Sequence, residues 1–127
     1  MLSWLRTAFK STGRVSRQPD LSLTDDGFRL VFDRGETLAI AWADVAEIAT
    51  FKRDLYIYDD IRLSFRRRGT DLWLEISEEC AGFPEMAAEM RRRFPTIDEA
   101  WYLDVMQPPF ATNYTLLYGP IDNSHPA

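Results

Sequence analysis

The sequence predicts a mainly β protein of the α+β class: a partly open antiparallel barrel closed at one end by a C-terminal helix, with a short second helix beyond it. Three observations carry this expectation. Apolar residues recur with a period of two from Leu21 to Ile76, turn signals break that run at near-regular intervals, and the period becomes helical after Cys80.

The first strand reads through Leu21 and Leu23 into "TDDGF", where Asp and Gly supply the positive φ angles of a tight turn. Phe28, Leu30 and Phe32 share the next face, "DRGE" turns the chain again, and Leu38, Ile40 and Trp42 follow. Such alternation marks antiparallel strands with one buried face, because strands buried on both faces are apolar at every position. The pattern bends through "ADVAEIATF". It resumes as Phe51, Leu55 and Ile57, then Ile61, Leu63 and Phe65, then Leu72, Leu74 and Ile76. The intervening Arg62, Ser64, Arg66, Asp71, Trp73 and Glu75 are placed on a solvated outer face. In "EECAGFPEMAAEMRRRFP", Phe83, Met86, Met90 and Phe94 form a helical stripe near residues 82–94, with Pro84 in the first turn and three arginines at the C-terminal end of the dipole. "TIDE" has the spacing of a capping box before "AWYLDVM", a second short helix with Trp101 and Val105 one turn apart. "NYTLLYG" returns as a last strand.

A chain of 127 residues, 46% of them hydrophobic, supports one domain with one core. Residues 20–119 form that domain with its C-terminal extension, residues 1–19 are a basic amphipathic segment, and residues 120–127 are a loose tail. The single cysteine forms no internal disulfide, and neither a membrane span nor a secretory leader is recognisable, so a cytoplasmic protein is expected. The net charge of −5 is unevenly placed. Residues 1–17 hold Arg6, Lys10, Arg14 and Arg17 without an acid, which leaves 11 bases against 20 acids in the remainder. That field repels phosphates and attracts basic proteins, so nucleic acid is not an expected partner.

The meander followed by one helix, with "W-x-D-V-x-x-I" from Trp42 to Ile48, resembles the pleckstrin-homology-like barrels of bacteria over roughly residues 20–94. "DDGF", "AWADVAEIATFKRDLYIYDDIRLSF", "ISEECAGFPEM", "RRRFP" and "PPFATNYTLLY" further resemble a family of small uncharacterised bacterial proteins with such a barrel. The resemblance implies the fold and carries no activity or cofactor. Relatives that hold inositol phosphates place Lys and Arg at the first hairpin, where this chain has Asp25 and Asp26. Phosphoinositide binding is therefore not expected.

Candidate site residues cluster in "FKRDLYIYDDI". Lys52, Asp54, Tyr56, Asp59 and Asp60 lie on or beside a hairpin tip, and turn geometry accounts for one or two charged residues there more readily than for four. If the strands pair about Tyr56, Lys52 faces Asp59 or Asp60 in an exposed ion pair worth under about 1 kcal/mol. Trp42 and Asp44 read as a structural corner, the indole buried and the carboxylate binding backbone N–H groups. Adjacent acids in "YDDIRL" lack the glycine frame of a calcium loop, and no metal or cofactor is expected. The one histidine, His125, is near the chain end, so no histidine-based nucleophile is held rigidly and no enzyme activity is expected. Phe110, Tyr114, Leu116, Leu117 and Tyr118 dock on the body or form a patch that binds another chain. The expected function is a non-catalytic protein- or peptide-interaction module. Two alternatives stand beside it: a peripheral membrane adaptor through Trp4, Arg6, Phe9 and Lys10, and an immunity protein that masks a basic toxin.

Overall fold

The computed structural model describes residues 18–54, 59–108 and 112–119, with backbone alone at Asp54. Two antiparallel sheets and two helices make up the body, so the α+β, mainly β class expected from the sequence is the observed one. The first sheet is β1 (Asp20–Leu23), β2 (Gly27–Val31) and β3 (Thr37–Ala41), in that order. The second is ordered β6 (Trp73–Ser77), β5 (Asp59–Arg67), β4 (Val45–Asp54) and β7 (Thr115–Tyr118). The two ladders do not close into a barrel. Helix α1 spans Phe83–Arg93 and helix α2 spans Trp101–Met106. Among the described residues no helix is long and apolar enough to cross a membrane.

Pairing register decides which residues face inward. Ile48 opposes Phe65, Thr50 opposes Leu63 and Lys52 opposes Ile61 across β4 and β5, while Leu63 and Phe65 oppose Ile76 and Leu74 of β6. Opposed residues share a face, so these side chains line the core with Phe28, Leu30 and Ile40 of the first sheet. Phe51 is consequently on the other face, against expectation. The cause is a register shift between Val45 and Glu47: the extra residue inverts the alternation, and the inward series becomes Val45, Ile48, Thr50, Lys52.

Rings hold the sheets to α1. Phe28 lies 5.1 Å from Trp42 and 5.0 Å from Phe65, and Trp42 lies 5.9 Å from Phe94 at the helix end. Met86 and Met90 are fully buried beneath α1, each burial worth about 1.5 to 3 kcal/mol. Trp42 opens a short 3-10 turn, Trp42–Asp44, that is the corner between β3 and β4. Its buried position matches the sequence reading, but the role expected of Asp44 does not. The Val45 N–H already donates to the Trp42 carbonyl within the turn, leaving the Asp44 carboxylate exposed, and the Asp44 carbonyl accepts from Arg68 N at 2.7 Å.

Two glycines are required by close approach. Gly27, expected as a positive-φ turn residue, is the first residue of β2, where a Cβ would stand 2.0 Å from the Ile40 carbonyl oxygen. Gly82 caps α1 at φ +92°, with space for a Cβ closed by the Leu21 carbonyl oxygen at 2.1 Å. That contact, with Leu21 N donating to the Ala81 carbonyl at 3.1 Å, ties β1 to the start of the helix. The "TIDE" capping box does not form. The N-cap of α2 is Ala100, without a side-chain bond, and Asp98 instead accepts from Ala100 N at 2.9 Å in a local turn. Leu72, expected in the inward series, precedes β6 and is exposed.

Candidate functional site

Arg53 opposes Asp60 and Asp54 opposes Asp59 where β4 meets β5, so the hairpin predicted around Tyr56 is present at its base. Its charged residues are not the solvated set expected. Lys52 is only 3% exposed because the register turns it inward, and its ammonium reaches the Asp59 carboxylate at 3.4 Å. The same ammonium donates to the Met106 carbonyl at 2.9 Å and to the Pro108 carbonyl. A charged group taken out of water needs several partners of this kind, and here they come from the end of α2 and the chain beyond it. Tyr56 and the Asp54 side chain lie outside the described residues, as do Trp4, Arg6, Phe9 and Lys10 of the amphipathic segment.

Asp60 points to the opposite face and is 1% exposed. Arg62 donates to it at 2.7 Å and to Glu75 at 3.2 Å, Arg53 donates to Glu75 at 2.5 Å, and Ser77 Oγ donates to Asp60 at 2.8 Å. The face predicted to be wet is thus buried at Asp60, Arg62, Ser64, Glu75 and Ser77. Two carboxylates and two guanidiniums neutralise one another along three strands. They tie β4, β5 and β6 together on this face. Cys80 is unsuited to attack: burial pushes its thiol up to about 11, where it stays protonated. Among the described residues no group of three or more His, Cys, Asp or Glu is placed to hold a metal ion.

What these anchors hold is the surface that follows. Glu78 receives the Ile61 N–H at 3.0 Å and the Tyr102 hydroxyl at 2.5 Å, fixing the first turn of α2. Burial first, then the Glu78 carboxylate, raises the Tyr102 hydroxyl to about 12, so it remains a donor. Asn113, at φ +51°, donates to the Asp104 carbonyl at 3.0 Å and the Gln107 carbonyl at 2.7 Å, which satisfies the C-terminal carbonyls of α2 beside those that Lys52 takes. Lys52 N also donates to the Thr112 carbonyl at 2.8 Å, and β7 then runs along β4. Neither Glu78 nor Asn113 stands out in the sequence; only the tolerance of asparagine for positive φ marks the second.

Helix α2 is apolar nearly all round, as WYLDVM shows. Trp101 and Val105 face the core, while Tyr102, Leu103 and Met106 occupy the arc turned outward. Leu103 is 65% exposed and Tyr114, stacked on Phe51 at 6.1 Å, is 60% exposed, with Leu116 exposed beside it on β7. The end of the segment does dock: Tyr118 lies 4.4 Å from Phe94. Among the described residues, five of the seven exposed large hydrophobics fall between residues 102 and 116. That stretch has no Lys or Arg from residue 94 onward, and Asp98, Glu99 and Asp104 are exposed around it.

Comparison of the chain with protein-family models, curated proteins and solved structures found no match.

Proposed function

We propose that this protein is a non-catalytic interaction module of the pleckstrin-homology-like kind, and that it binds a basic protein or peptide through the outward faces of α2 and β7. The observation that carries the reading is the concentration of exposed apolar side chains, Tyr102, Leu103, Met106, Tyr114 and Leu116, on a stretch whose charged residues are all acidic. The acidic charge along this stretch favours a partner with an apolar stripe flanked by Lys and Arg, while Arg53, 5.7 Å over the Phe51 ring on which Tyr114 stacks, places one base beside its β7 side. The anchoring by Lys52, Glu78 and Asn113 supports this use, since a short helix held at both ends loses little freedom on binding. The hairpin residue Lys52 then acts by holding the surface in place.

The test compares the wild-type chain with Leu103→Asp and Leu116→Asp in affinity purification from the native host. A specific basic partner lost from both variants, each of which keeps its thermal midpoint, is the expected result. A partner retained undiminished by both places the contact elsewhere.

A further inference from the structure

At the other end of the sheets a cavity of about 80 Å³ lies between Leu38 and Ile40 of β3, Phe65 and Arg67 of β5, and the run from Leu72 to Leu74. Arg67 is the one charged residue in its lining. Leu72 is 48% exposed at the rim and Trp73 is half-buried. Strand β3 is an edge: it pairs with β2 and with no other described strand. Natural edges are usually guarded by a charge, a proline or a bulge, and TLAIA has none.

Its guard comes from another strand. Phe32 N bonds to the Glu36 carbonyl across the β2–β3 turn, and by the alternation of antiparallel pairing Thr37, Ala39 and Ala41 direct N–H and C=O away from β2. The Ala39 carbonyl is met by Arg67 Nη2 at 3.0 Å instead of by a strand. The opposite edge, β1, differs, being tied to the start of α1 through Leu21 N.

We propose that the β3 edge and this cavity bind an extended peptide that ends in a small aliphatic residue. The peptide adds to β3 as a strand, its last side chain enters the cavity, and its terminal carboxylate draws the Arg67 guanidinium from the Ala39 carbonyl. Size selects the side chain, because the cavity has about half the roughly 150 Å³ that accommodates benzene in an apolar protein interior. A hollow of this size favours valine or leucine over phenylalanine. Charge selects the end of the chain: an exposed guanidinium at the mouth of an apolar hollow complements a carboxylate next to an aliphatic group. This site is independent of the α2 and β7 surface.

The experiment is a ¹⁵N NMR titration of the full chain with an alanine-rich pentapeptide ending in leucine with a free carboxylate. Expected are shifts at Thr37, Ala39 and Leu72 to Leu74 with Kd under about 1 mM, and binding at least about tenfold weaker for the C-terminal amide, the phenylalanine-ended peptide and the Arg67→Gln variant. Absence of shifts at about 5 mM peptide would overturn the proposal. So would equal binding of the amide or by Arg67→Gln, isovalerate binding as tightly as the peptide, or shifts confined to α2 and β7.

Discussion

The Lys52 ammonium donates to the Met106 carbonyl at 2.9 Å, joining a residue in the middle of the chain to one 54 positions later. It also meets the Asp59 carboxylate and the Pro108 carbonyl, so one side chain fastens the end of α2 to the hairpin and buries its own charge in doing so. Replacing Lys52 with methionine keeps the aliphatic stem and removes every one of these bonds. Lys52→Met is expected to lower stability by about 2 to 4 kcal/mol, since the carboxylate and carbonyls it leaves lie in a partly dry site. Urea unfolding measures the loss, and faster amide exchange at Thr112 to Tyr118 locates it. A loss under about 0.5 kcal/mol would mean that the extension is held by other contacts.

Acidity at the β6–α1 junction sets a limit on alkaline stability. Cys80 is buried, and desolvation raises its thiol from 9.0 to about 11 in the fold. The folded chain therefore keeps a proton that the unfolded chain releases above about pH 9, and stability falls as pH rises from there to about 11. The full contribution is about 2 to 3 kcal/mol, present below the unfolded pKa and gone above the folded one. Cys80→Ala is expected to flatten this part of the stability profile relative to wild type, measured by urea midpoints between about pH 8 and 10.5, a window set by the same linkage. In the native state at neutral pH the thiol should resist alkylation until denaturant exposes it.

Residues whose environment is set by neighbours in sequence were legible, and those set by distant ones were not. Phe28, Leu30, Ile61, Leu63 and Phe65 follow the period of two and are buried, and the stripe of Phe83, Met86 and Met90 follows the helical period. The inward turn of Lys52 depends on an extra residue near Val45 that inverts the alternation, and its partners are 54 and 56 residues away. Arg62, Asp60 and Glu75 read as solvent-facing because charge is the strongest local cue for exposure. They are buried because each supplies what the others lack, on strands that meet only in the folded chain. The candidate surface was visible in part: the aromatic residues after Gln107 exceed what a loose end carries, but which of them dock and which stay outside depends on pairing with β4.

The charge network on the outer face of the second sheet yields the sharpest energetic expectation. Arg62 lies between Asp60 at 2.7 Å and Glu75 at 3.2 Å, and all three side chains are at most about a tenth exposed. Arg62→Met leaves two buried carboxylates on one face of the sheet, with Arg53 still donating to Glu75 and Ser77 to Asp60. The expected loss is about 3 to 5 kcal/mol, the scale for removing one member of a buried pair. Asp60→Asn in that background removes one of the stranded charges while keeping an acceptor for Ser77, so the double variant should recover at least about 1 kcal/mol of the loss, a non-additivity that a double-mutant cycle reads directly. Strictly additive losses from the two changes would show that Arg62 and Asp60 do not interact.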